Sequence, residues 1–110
     1  MKFSEYIQYD GLGLAQLVKN KEVHASELLR IALERTDKTN SKLNAVIIPM
    51  YEQAKQRTQQ QSSGLFAGVP FLVKDLFQEY QGVPTSYGSN ALKKINYTPD
   101  FNAEIVNRWE

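Results

Sequence analysis

The chain has no cysteine and only one histidine. The first absence removes thiol nucleophiles, zinc–thiolate centres and disulfides together. The second removes any metal site built from several imidazoles. His24 also lacks a nucleophile-elbow motif that would enlist it in a Ser-His-Asp triad. It is read as a structural residue at a helix start. Charge of one sign is lacking as well. Thirteen basic residues against twelve acidic ones give a formal net charge of +1. No block of like charge appears, so no nucleic-acid partner is expected. No apolar run approaches the ~20 residues that span a membrane. Met1 to Asp10 lacks a basic region followed by an apolar core, the mark of a signal peptide. There is no G-x-G-x-x-G string and no phosphate loop; Gly11-Leu12-Gly13 is too short to count. The expectation is a protein of the cytoplasm, with no cofactor, no metal and no membrane. No tandem repeat is visible.

What is present reads first as helix. Asp10 can cap a helix with Leu12, Ala15, Leu17 and Val18 as apolar contacts, ending at Asn20-Lys21. A second helix is expected from His24. His24-x-x-Glu27 has the form of a capping box, with histidine where serine or threonine is usual. Leu28, Leu29, Ala32 and Leu33 then make an apolar stripe at helical period, with Arg30, Glu34 and Arg35 mainly outside it. Asn40 and Ser41 are expected to break this helix. Leu43 to Ile48 is short, β-branched and apolar, and predicts a buried strand. Pro49 ends it and opens a surface helix from Met50 to Gln60. Gln59 to Gly64 is a polar linker too short to separate domains. Further on, Tyr80 to Ser89 reads as a Gly/Pro-punctuated loop. Ser89 or Asn90 can cap a short helix through Lys94, and Asn102 can cap another after Pro99. Ile105, Val106 and Trp109 share a side of that last helix.

The unusual feature is a lysine inside an apolar run, Phe66-Ala67-Gly68-Val69-Pro70-Phe71-Leu72-Val73-Lys74-Asp75-Leu76-Phe77. The run predicts a buried strand. Burying an ammonium is costly. Either Lys74 extends its head to water with a buried stem, or it is held inside for chemistry. A buried lysine can be driven neutral, and a neutral amine is a usable base. Free lysine titrates near ~10.4, so chemistry at neutral pH needs that environment. Asp75 is the threat, because a carboxylate in contact would keep the amine charged. On a strand, neighbours point to opposite faces. Asp75 is therefore expected to bond backbone amides. Gly68, Gly82 and Gly88 read as turn positions. Ser86 and Ser89 read as turn residues that bond local backbone. Tyr87 and Phe77 read as core, with pocket lining as the functional alternative.

Two strings together resemble the amidase signature family. Its G-V-P-x-x-V-K-D segment is matched by Gly68-Val69-Pro70-Phe71-Leu72-Val73-Lys74-Asp75. Its G-x-P-T-x-x-G-S segment is matched by Gly82-Val83-Pro84-Thr85-Ser86-Tyr87-Gly88-Ser89. Glu27-Leu28-Leu29 and Leu43-Asn44-Ala45-Val46 sit where the family has its second helix and first strand. Tyr9-Asp10-Gly11-Leu12-Gly13-Leu14-Ala15 and the wording around Lys74 are similar to the bacterial branch that includes cyclic-dimer hydrolases of aminohexanoate oligomers.

The resemblance implies an α/β fold, helices around a few strands of a mixed sheet. It implies an amide-bond hydrolase with a Ser-cisSer-Lys triad, in which Lys74 is the base. The lysine deprotonates a bridging serine held by a cis peptide bond, and that serine activates a second, nucleophilic one. Both serines belong to a Gly/Ser-rich stretch that residues 1–110 do not contain. The chain is thus expected to be the N-terminal fragment of a single amidase domain, inactive alone. Its expected partners are a small-molecule amide or oligoamide substrate, and a homo-oligomer or other contact through exposed apolar faces. Two rivals stand beside this reading. One is a truncated, non-catalytic binding or complementation module. The other is the amidase subunit of a tRNA-dependent amidotransferase, whose branch usually reads Lys-Asp-Asn where this chain has Lys74-Asp75-Leu76.

Overall fold

The structure, a computed structural model, describes residues 1–109. Two compact units divide the chain, Met1–Phe71 and Leu72–Glu110.

The first unit carries four helices: α1 (Phe3–Tyr6), α2 (Gly11–Lys19), α3 (Ala25–Leu43) and α4 (Tyr51–Arg57). Helix α2 begins as the sequence indicates. The Asp10 carboxylate accepts the Gly13 amide at 2.7 Å and so satisfies one of the open N-terminal donors. Leu14 and Ala15 are its buried residues. The helix ends at Asn20, and Lys21 takes a left-handed φ of 61° to turn the chain. Helix α3 starts at His24, whose Nδ1 accepts the Ser26 amide at 3.3 Å. Glu27 does not complete a capping box there; its carboxylate pairs with the amino group of Met1.

Helix α3 is held by one face. Leu28 is fully buried, with Ile31 and Leu29 close behind, while Ala32 and Leu33 are half-buried. Each such leucine contributes about 1.5–3 kcal/mol, more than any intrinsic helix preference in this polar sequence supplies. The helix packs against α1 and α4. The Arg35 guanidinium lies over the Phe3 ring at 5.1 Å, a cation–π contact. Asn40 and Ser41 do not break the helix, which runs on to Leu43. The stop comes at Asn44, whose left-handed φ of 49° asparagine tolerates better than most residues.

The second unit is mostly loop, with α5 (Asn90–Lys94) and α6 (Glu104–Asn107). Its buried residues are Val83, Thr85, Pro99 and Val106. Backbone bonds across loops hold it. Gly82 donates to the Pro99 carbonyl, Thr85 to Tyr97 and Ala103 to Glu79, each at 2.9 Å. Asn102, expected as a helix cap, serves elsewhere: its Oδ1 accepts the Gln81 amide at 2.7 Å. Ala103 occupies the cap position of α6 with no side-chain bond, and Ser89 likewise precedes α5 without one. On α6 only Val106 is buried; Ile105 is exposed, as is Trp109 beyond the helix end.

The α/β fold and mixed sheet expected from sequence are corrected by this structure. Among the described residues there are helices and coil and no strand. A strand exists only with a neighbour that completes its ladder of backbone bonds. Leu43 is drawn into α3, and the backbone groups of Val46 are both taken by the Asn40 side chain. Residues 72–77 make no backbone-to-backbone bond among the described residues. Apolar side chains that a sheet would cover stay exposed, Ile47 at 54% and Leu72 at 70%.

Candidate functional site

Lys74 and the loop that follows form the candidate site, within the second unit. The structure corrects the expected burial of Lys74. It lies exposed in coil, and its backbone amide donates to Gln78 Oε1 at 2.6 Å. Among the described residues no ion pair joins its ammonium to Asp75.

Asp75 is engaged differently. Its Oδ1 accepts the Thr85 hydroxyl at 2.5 Å and the Ser86 amide at 2.8 Å, and its Oδ2 accepts the Ser86 hydroxyl at 2.6 Å. Both oxygens are thus committed to one turn of the Gly82–Ser89 loop. Partial burial pushes the Asp75 carboxyl up, but the bonds from Ser86 and Thr85 outweigh it. The carboxyl is held below its ordinary range. It is a carboxylate at neutral pH. The expectation that Asp75 bonds backbone amides is met by one amide, and two hydroxyls join it. Thr85 is itself buried and its amide donates to Tyr97, so the anchor is fixed from behind.

The rest of the loop is shaped by its glycines and aromatics. Gly82 and Gly88 have φ of +77° and +72°, the left-handed region that glycine enters without strain. Ser86 Oγ also accepts the Gly88 amide at 3.3 Å, and the Ser89 amide donates to the Ser86 carbonyl at 2.7 Å. Ser86 takes the turn role that the sequence indicates and adds the Asp75 bond to it, whereas Ser89 joins the turn through its backbone amide. Phe77 and Tyr87 lie with ring centroids 5.6 Å apart, tilted by 34°. The Tyr87 hydroxyl donates to Glu79. Phe77 is 73% exposed, so its reading as core is corrected. His24 lies exposed in the other unit, bonded to Ser26 as a helix cap. Among the described residues no group of three His, Cys, Asp or Glu side chains is placed to hold a metal.

Sequence reasoning missed the part of Thr85. A partner ten positions away leaves no periodic signal, although the turn chemistry of Gly82-Val83-Pro84-Thr85-Ser86 does mark where a carboxylate would find donors.

A model of the Amidase family matches residues 27–110. The chain belongs to the amidase family. It is 37% identical over 99 residues to a 6-aminohexanoate-cyclic-dimer hydrolase from Pseudomonas sp. (strain NK87), covering 90% of this chain and 20% of that protein. It is 38% identical over 92 residues to a lipoamidase of Enterococcus faecalis, covering 82% of this chain and 13% of that one. A solved structure of 6-aminohexanoate cyclic dimer hydrolase superposes with a TM-score of 0.85 at 36% identity, over 91% of this chain and 20% of that chain. The likeness to the cyclic-dimer hydrolases agrees with the branch that the Lys74 wording resembles. The chain spans about a fifth of the length of these hydrolases, 20% of each.

Proposed function

We propose that these residues supply the base of an amide hydrolase, and that Lys74 is that base. In this reading the neutral amine of Lys74 takes a proton from a bridging serine. That serine takes the proton of a second serine, whose oxygen attacks the amide carbonyl. The C–N bond breaks as the relay returns a proton to the departing amine. Water then cleaves the acyl-serine by the same relay in reverse. Both serines lie outside residues 1–110. The reading invokes neither metal nor cofactor, and its compartment is the cytoplasm.

The observation that carries the proposal is the family match over residues 27–110, which contains the whole Gly68–Asp75 string. The identity with a 6-aminohexanoate-cyclic-dimer hydrolase supports a cyclic or linear oligoamide as substrate. In this reading the serine-bearing segments cover Lys74, because burial favours the neutral amine that a base must offer.

The test is expression of the whole reading frame that carries these residues, assayed for amine release from 6-aminohexanoate cyclic dimer and from simple carboxamides. Hydrolysis is expected from that product and none from the 110-residue chain by itself. Turnover by the 110-residue chain, lost on Lys74→Ala, would contradict the two-serine relay.

A further inference from the structure

The search for a second role leads back to the residue beside Lys74. A carboxylate next in sequence to a proposed basic amine is a natural ion-pair partner, and such a pair would hold the amine charged. Here that pairing is not made. Asp75 faces Thr85 and Ser86 instead, with three accepted bonds spread over both oxygens. Charge-assisted bonds of this kind are stronger than neutral ones. They tie the backbone one peptide from Lys74 to a turn that is itself pinned, Thr85 by Tyr97 and Ser89 by Ser86. On the other side of the lysine, at Leu72 and Val73, nothing comparable is found among the described residues. Val73 and Leu72 make no backbone-to-backbone bond among the described residues, and Leu72 is 70% exposed.

We infer that Asp75 is the positioning residue for Lys74: Thr85 and Ser86 withdraw its carboxylate from the lysine and fix the chain from which the amine projects. The inference rests on the reading of Lys74 as the base, and it adds what aims that base. The chemistry needed at position 75 is therefore a planar acceptor with two heteroatoms. Asparagine provides most of it. Its oxygen can accept from Thr85 and from the Ser86 amide, and its NH₂ can donate to a Ser86 hydroxyl turned to accept. Alanine provides none of it.

The experiment compares the ¹⁵N-labelled 110-residue chain with its Asp75→Ala and Asp75→Asn variants, reading backbone order by NMR relaxation. Helices α2 and α3 of the first unit serve as the internal control for folding. In the wild-type chain the Lys74 and Ser86 amides are expected to have order parameters near ~0.8, and in Asp75→Ala to fall below ~0.6. Asp75→Asn is expected to keep both within about 0.1 of wild type. A Thr85→Val, Ser86→Ala double variant is expected to loosen Lys74 as Asp75→Ala does, with the carboxylate still present. Unchanged order at Lys74 in Asp75→Ala, or loss in Asp75→Asn as large as in Asp75→Ala, would overturn the inference. Lys74→Ala should leave the Ser86 amide ordered. If that holds while Lys74→Ala spares hydrolysis by the whole reading frame, the anchor stands and the proposed base falls.

Discussion

Asn40 exchanges two hydrogen bonds with Val46: its Nδ2 donates to the Val46 carbonyl and its Oδ1 accepts the Val46 amide, each at 2.9 Å. A side-chain amide here satisfies the two backbone groups that a neighbouring strand would otherwise satisfy. Asn40→Ala leaves both Val46 groups without this partner. A loss of about 1–3 kcal/mol is expected, read by urea unfolding of the first unit. Asn40→Asp should be nearly as damaging, because a carboxylate facing the Val46 carbonyl can accept but not donate.

Gly68 offers a second test in the same unit. Its φ is +81°, and a Cβ built there would meet Val18 Cγ1 at 2.9 Å and Ala25 Cβ at 3.2 Å. Backbone strain and overlap then act together. Gly68→Ala is expected to destabilise by roughly 1–3 kcal/mol, seen as a lower thermal midpoint. The neighbouring Gly64 has nothing within 4 Å of such a Cβ, so Gly64→Ala meets only the strain of its own φ of +126°. It should cost less.

The two ends of α3 should respond very differently to the same truncation. Leu28 has no exposed surface, whereas Leu43 is 69% exposed. Leu28→Ala removes packed atoms and leaves a cavity, for an expected loss of about 2–5 kcal/mol. Leu43→Ala should stay within about 0.5 kcal/mol of wild type. Paired denaturant titrations of the two variants check the ratio.

The pH response of the second unit follows from Asp75. Its carboxyl is held below the ordinary value of 3.8 by the Ser86 and Thr85 bonds, against the opposing effect of burial. A depressed acid stabilises the folded state above its unfolded value, and that contribution disappears as pH falls through the lower, folded value. The Asp75 anchor should therefore be intact from neutral pH through the ordinary carboxylate range and be lost only as pH falls through its lower, folded value. Following the Ser86 amide shift against pH checks this. Asp75→Asn should show no such titration.

These variants also mark how far the sequence could be read. Local signals carried α2 and the start of α3, because capping by Asp10 and the Leu28-Leu29 stripe are decided within a few residues. Ile31, which the stripe did not single out, proves as buried as its neighbours. The expected strands were not legible. Their apolar, β-branched composition is right for a sheet, but pairing depends on partners that no local pattern reveals, and here Asn40 answers for Val46. At the site, the sequence pointed to Lys74 and to Asp75 as an acceptor. The identity of the donors, Thr85 and Ser86, depended on the loop closing back over an irregular interval.

The most direct measurement is kcat/KM for 6-aminohexanoate cyclic dimer of the whole reading frame and of its Lys74→Ala variant. General-base catalysis is worth roughly 10²–10⁴ in rate, so a fall of at least a hundredfold is predicted, carried by kcat. A variant within about threefold of wild type would contradict the assignment of Lys74 as the base.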